Sequence, residues 1–138
     1  KRPPGLGDVR VLIAPVDGRP TAVLFEQKVA RDARPVPFRS PAGEVTLDRV
    51  SPLSKARIAV AASPGGYRLE AAIPWESLGH SPESGRLGLD LDVNFSDPAG
   101  QRNTARLHWG RHGAATVYDL PTEARFEPEL WGEAIFER

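Results

Sequence analysis

Apolar positions in this chain recur at every second residue in short runs, the spacing of strands with one face turned inward. The clearest run is 86–95, where Leu87, Leu89, Leu91, Val93 and Phe95 alternate with Gly88, Asp90, Asp92 and Asn94. It predicts one continuous strand. Ala105, Leu107 and Trp109 alternate in the same way with Arg106 and His108, so 104–109 is expected to pair back around the turn Ser96-Asp97-Pro98-Ala99-Gly100. Val9, Val11 and Ile13 in 8–14 and the Val/Leu/Phe-rich stretch 21–29 flank Asp17-Gly18, a hairpin signal. Ile58 and Val60 precede Pro64-Gly65-Gly66, and Leu69, Ala71 and Ile73 follow it, which predicts another hairpin.

Between these runs, 30–41 carries Pro35, Pro37 and Pro41 and is expected to be an extended loop, since each proline removes a ladder donor. Shorter strands are expected at 44–48, 115–118 and 132–137. Pro74 and Gly79 bracket Trp75-Glu76-Ser77-Leu78 as the start and stop of a single helical turn. Roughly seven or eight short strands, with no amphipathic stretch long enough for a packing helix, predict an all-β fold. The expected architecture is one antiparallel β-sandwich domain over 1–138, immunoglobulin-like or jelly-roll-like.

Composition narrows the chemistry. The 138 residues carry 18 basic and 18 acidic side chains, so the basic face that nucleic acid demands is not expected. No apolar run has the length of a membrane span. With no Cys, thiol nucleophiles, disulfides, thiolate zinc sites and iron–sulfur clusters are excluded. The chain has no Met and begins Lys1-Arg2-Pro3-Pro4, which predicts a processed or excised piece of a longer multidomain protein.

The order of features from Tyr67 onward resembles carbohydrate-binding module family nine and its DOMON-like relatives. The resemblance is carried by Tyr67-Arg68-Leu69-Glu70-Ala71-Ala72-Ile73-Pro74-Trp75, then Leu78-Gly79, then the run from Gly85 to Asp97 containing Val93-Asn94-Phe95-Ser96-Asp97. A strand ending Leu107-His108-Trp109-Gly110 and a closing Trp131-Gly132-Glu133-Ala134-Ile135-Phe136 complete it. It implies a non-catalytic β-sandwich that binds oligo- or polysaccharide, in an extracellular, cell-surface or periplasmic protein, as an accessory of a glycoside hydrolase or similar enzyme. It also implies structural calcium. Family domains have further strands and an acidic segment ahead of Gly7-Asp8, so N-terminal strands contributing to the site are expected to be missing here.

Sugars offer C–H faces to aromatic rings and hydroxyls to amides, carboxylates and guanidinium groups. Trp131 and Tyr118 lie in or beside irregular sequence, where loops present rings to solvent, and are the first aromatic candidates. Trp109 is a third, although its strand parity predicts a core position; Trp75 is expected to plug the core beneath the helical turn. Arg106, His108, Asn94, Gln101 and Arg102 are the candidate hydrogen-bonding groups. The plainer reading of the strand residues, with Asp90 and Asp92, is a set of cross-strand pairs on a solvated face.

Asp92, Asn94 and Asp97 are spaced like part of a calcium cage, but the Gly and distal Glu of an EF-hand loop are lacking. No Gly-x-Ser-x-Gly elbow, His-Glu-x-x-His or phosphate-cradling loop occurs, so no enzyme activity is expected. Two other readings stand beside sugar binding. DOMON-like relatives include b-type haem carriers, for which His80, His108, His112 or Lys would supply the axial ligands. A purely structural or protein-interaction domain of a larger secreted protein is the third.

Overall fold

The computed structural model describes residues 2–40, 43–64, 66–81, 83, 85–110 and 126–136. The fold is all-β. Its described strands are β1 (Val9–Val16), β2 (Arg19–Glu26), β3 (Val36–Ser40), β4 (Gly43–Leu47), β5 (Arg49–Pro52), β6 (Arg57–Ser63), β7 (Gly66–Ala72), β8 (Arg86–Leu89), β9 (Asp92–Ser96), β10 (Asn103–His108) and β11 (Gly132–Ile135). A four-residue helix α1 (Trp75–Leu78) and a 3-10 turn (Pro128–Leu130) accompany them. The chain forms two compact units, one of residues 5–36 and 46–81, the other of 1–4, 37–45 and 82–138.

In the first unit, β1 and β2 pair antiparallel from Val9↔Glu26 to Val16↔Arg19. Asp17 (φ 50) and Gly18 (φ 75) both take positive φ, as a two-residue turn matched to the strand twist requires. β5 adds on the far side of β2, with Val23↔Pro52 through Glu26↔Arg49. This strand is not foreseen in the sequence pattern. Alternation along β2 buries Ala22 and Leu24, which join Leu53 in a core flanked by Val9, Val11, Ile13, Ala56, Ile58, Ile73 and Leu78. Leu53 is tied to it by its N–H donating to the Ala22 carbonyl at 2.9 Å. Burying each such leucine is worth about 1.5–3 kcal/mol.

The β6–β7 hairpin runs from Arg57↔Ala72 to Ser63↔Gly66. Helix α1 follows it after Pro74, which holds the extended cap position (φ −60, ψ 133), one residue ahead of the first helical position. Gly79 closes the helix in the left-handed conformation (φ 69), its N–H donating to Glu76 O at 3.3 Å and that of His80 to Trp75 O at 3.2 Å.

The stretch 30–41 is only partly loop. Val36–Ser40 is a strand, in a two-stranded ladder with β4; such a ladder has open edges that tolerate Pro37. The preceding segment is pinned by Asp48, whose carboxylate accepts the Val29 N–H at 3.1 Å and whose carbonyl accepts the Arg34 N–H at 2.7 Å. In β4, Val45 and Leu47 are buried, Leu47 at 1% exposure.

The second unit corrects the longest expectation. The run 86–95 is two strands with different partners: β8 pairs with β11 (Leu89↔Gly132 to Arg86↔Ile135) and β9 with β10 (Ser96↔Asn103 to Asp92↔His108). Asp90 makes the break. Its Oδ1 accepts the Gly110 N–H at 2.7 Å and its own neighbour's, Leu91, at 3.0 Å, replacing carbonyl acceptors that a continuous ladder would use. The strand expected at 115–118 lies outside the described residues.

Candidate functional site

The β9–β10 hairpin carries most of the sequence-predicted site residues. Its turn is organised by Asp97, whose Oδ1 accepts the N–H of Gln101 at 2.8 Å and of Arg102 at 3.4 Å, while its carbonyl accepts the Gly100 N–H at 2.9 Å. The side chains of Gln101 and Arg102 are left exposed at the tip. Along the strands, Arg106 Nε donates to Asn94 Oδ1 at 2.6 Å and His108 Nδ1 lies 2.6 Å from Asp92 Oδ1. Each is a directly opposed pair in the register, so the cross-strand reading describes how these four side chains are engaged.

The apolar parity of the hairpin is not covered as expected. On the polar parity, Arg106 and His108 of β10 are half-buried, while Asp92 and Asn94 of β9 are exposed. On the apolar parity, Leu107 is 62% exposed, Trp109 57%, Phe95 48% and Val93 39%. The core position expected for Trp109 is therefore corrected. Phe95 opposes Ala105 and Val93 opposes Leu107, and Trp109 extends the row, its N–H donating to Leu91 O at 2.9 Å. An apolar strip runs along one hairpin face with an aromatic ring toward each end.

Trp109 is seated on glycine. A β-carbon on Gly132 would lie 2.9 Å from Trp109 Cζ3 and 3.3 Å from Cη2, so the absent side chain makes room for the indole. Trp131 is half-buried and packs at Gly88, where a β-carbon would be 3.6 Å from its Cε3. Gly132 and Gly88 alternate in the β8–β11 ladder, Gly132 opposite Leu89 and Gly88 opposite Glu133, and strand alternation puts the two indoles on its opposite faces. The structure therefore does not bring Trp109 and Trp131 together as walls of one slot. By the same alternation, Asn94, Arg106 and His108 lie across the hairpin from Trp109, whereas Gln101 and Arg102 sit at the tip near Phe95. Trp75 is half-buried in the first unit. Tyr118 lies outside the described residues.

For calcium, Asp92 and Asn94 do share a face, but one oxygen of each is taken by His108 and Arg106, and Asp97 is engaged with its own turn. Among the described residues, no three His, Asp or Glu side chains form a metal-holding group. Of the histidines considered for haem, His80 has its Nε2 2.8 Å from Gly7 O and His108 its Nδ1 on Asp92; His112 lies outside the described residues.

Two groups were not singled out from the sequence. Glu26 and Arg49 form a two-pronged ion pair, Nε to Oε2 at 2.5 Å and Nη2 to Oε1 at 2.8 Å, with the Glu26 side chain 13% exposed. The bond to Glu26 holds the Arg49 pKa above its ordinary value. Lys55 Nζ meets Glu76 Oε1 at 2.7 Å, and that bond raises the lysine pKa and lowers the carboxyl. Both pairs border an open surface depression of the first unit. Only strand register and helix placement make them neighbours, and no local motif signals either.

No protein family, curated protein or solved structure matches the chain.

Proposed function

We propose that this chain is a non-catalytic carbohydrate-binding domain, of the sandwich type that the resemblance to family nine implies, which takes an oligo- or polysaccharide along the β9–β10 face. The observation that carries the proposal is the exposure of Trp109, a large ring left 57% in solvent and backed by the backbone of Gly132. A largely exposed indole held in place beside a neighbouring backbone offers a stacking surface for the C–H face of a pyranose. Phe95, 48% exposed, lies four residue steps along the ladder, roughly 14 Å at the rise of a strand. That separation suits a linear chain of several sugars better than one ring. Gln101 and Arg102 at the tip supply hydrogen bonds to hydroxyls at the Phe95 end. The neutral charge balance accords with an uncharged ligand.

Isothermal titration with gluco- and xylo-oligosaccharides of increasing length tests the proposal. Affinity is expected to rise with length until the ligand reaches from Trp109 to Phe95. Absence of binding to every member of the series by a folded sample would overturn it.

A further inference from the structure

The outer edge of β7 has no partner strand among the described residues. β7 pairs with β6 alone, in a ladder without a register shift, and all seven of its residues are exposed. It lacks the proline, bulge or lysine by which an open edge is commonly kept from pairing with another chain. Its two charged residues, Arg68 and Glu70, stand opposite Ala61 and Ala59 of β6, so the hairpin gives neither of them a cross-strand partner. Among the described residues neither forms an ion pair. On the other face of the hairpin, Tyr67, Leu69 and Val60 are large apolar side chains left exposed.

We infer that two copies of this chain join edge to edge through β7, antiparallel about a two-fold axis at Leu69. The strand complements itself in that register. Leu69 is the midpoint of Gly66–Ala72, so the whole strand overlaps: Gly66 opposes Ala72 of the second copy, Tyr67 opposes its Ala71 and Arg68 its Glu70. An Arg–Glu pair then lies on each side of the axis, and directly opposed unlike charges stabilise a sheet where like charges destabilise it. Neighbouring registers fail. A slip of one position sets the charged face of one strand on the apolar face of the other. The nearest two that keep the faces aligned are centred on Arg68 or on Glu70, and each puts that residue opposite its own copy. On the apolar face Leu69 meets Leu69, and the small Ala71 leaves room for the Tyr67 ring, so apolar area leaves water as the ion pairs form. A contact of this symmetry closes on itself and stops at the dimer.

Sedimentation equilibrium of the intact chain tests the inference. The mass is expected to rise with concentration from 15.0 kDa toward twice that value, and amide exchange along Gly66–Ala72 to slow in parallel. Arg68→Glu and Glu70→Arg, each at an exposed position, should each weaken association at least tenfold with the circular dichroism spectrum unchanged. Mixed in equal amounts, the two variants should associate again, since one strand then carries two acidic side chains and the other two basic ones. Trp109→Ala should dimerise as the wild type does, which separates this contact from the sugar face. A chain that stays monomeric up to about 1 mM, a dimer untouched by either charge reversal, or a mixture of the two variants that remains monomeric contradicts the inference. So does a dimer that dissociates on Phe95→Ser instead, which would place the contact on the β9–β10 face.

Discussion

Trp109 lies against Gly132 so closely that a β-carbon there would come within 2.9 Å of the indole. The contact joins the β9–β10 hairpin to the β8–β11 ladder and makes the glycine a requirement of the ring's position. Gly132→Ala is expected to push the indole aside and to lower stability by about 1–3 kcal/mol, the usual cost of overpacking. In a Trp109→Ala background the same substitution should cost much less. Urea unfolding of the four proteins of this double-mutant cycle measures the difference, and equal costs in both backgrounds would mean that the two residues do not act on each other.

Asp90 replaces part of the ladder where β8 gives way to β9. Asp90→Ala leaves the Gly110 and Leu91 N–H groups without their carboxylate acceptor, and a loss of about 1–3 kcal/mol is expected. Asp90→Asn keeps an acceptor oxygen and should lose less. Hydrogen exchange at Gly110 reports the change locally: faster exchange in Asp90→Ala is expected, and an unaltered rate would contradict the assignment.

The Glu26–Arg49 pair fastens β5 to β2. Glu26→Ala strands a partly buried guanidinium, and a destabilisation of about 1–2 kcal/mol is expected, toward the low end for a charged hydrogen bond because the Arg49 side chain is 41% exposed. Denaturant midpoints of Glu26→Ala and Glu26→Gln compare a removed with a weakened acceptor. A midpoint unchanged in Glu26→Ala would show the pair to be dispensable.

The Lys55–Glu76 pair is exposed and carries a pH signature. Glu76 titrates below its ordinary value of 4.5 and Lys55 above 10.5, each because of the hydrogen bond to the other. The lowered carboxyl contributes above its unfolded pKa and its contribution fades as pH falls through the folded one. The raised amine contributes below its unfolded pKa and fades as pH rises through the folded one. The pair is therefore complete between the carboxylate and lysine ranges. A carbon-13 titration of the Glu76 carboxyl should show its midpoint rise in Lys55→Ala, and added salt should move the wild-type midpoint the same way; a midpoint insensitive to both would exclude the ion pair.

Features set by neighbours in the sequence were legible before the structure. Asp17-Gly18 announces its turn, Pro74 and Gly79 bracket α1, and the two-residue period identifies β9 and β10. What period two cannot state is which face is covered, since alternation is the same whichever side meets solvent. Parity accordingly predicts a core position for Trp109, itself a site candidate, and gives no reason to pick Phe95, yet both are exposed. The break at Asp90 is hidden for a related reason: the alternation continues through it, and of the two N–H groups on its carboxylate, Leu91 and Gly110, the second comes from 20 residues away. Glu26 and Arg49 are 23 residues apart, and the β2–β5 register that pairs them has no local signature.

Trp109 is the exposed ring on which the proposed sugar site depends. Each of the three tryptophans gives one indole N–H signal, so an NMR titration with a xylo- or gluco-oligosaccharide, assigned with single Trp variants, reads them separately. The Trp109 signal is expected to shift and saturate with the ligand while that of Trp75 remains in place. A ligand that binds the folded protein without moving the Trp109 signal, or that binds Trp109→Ala as tightly, would contradict the account.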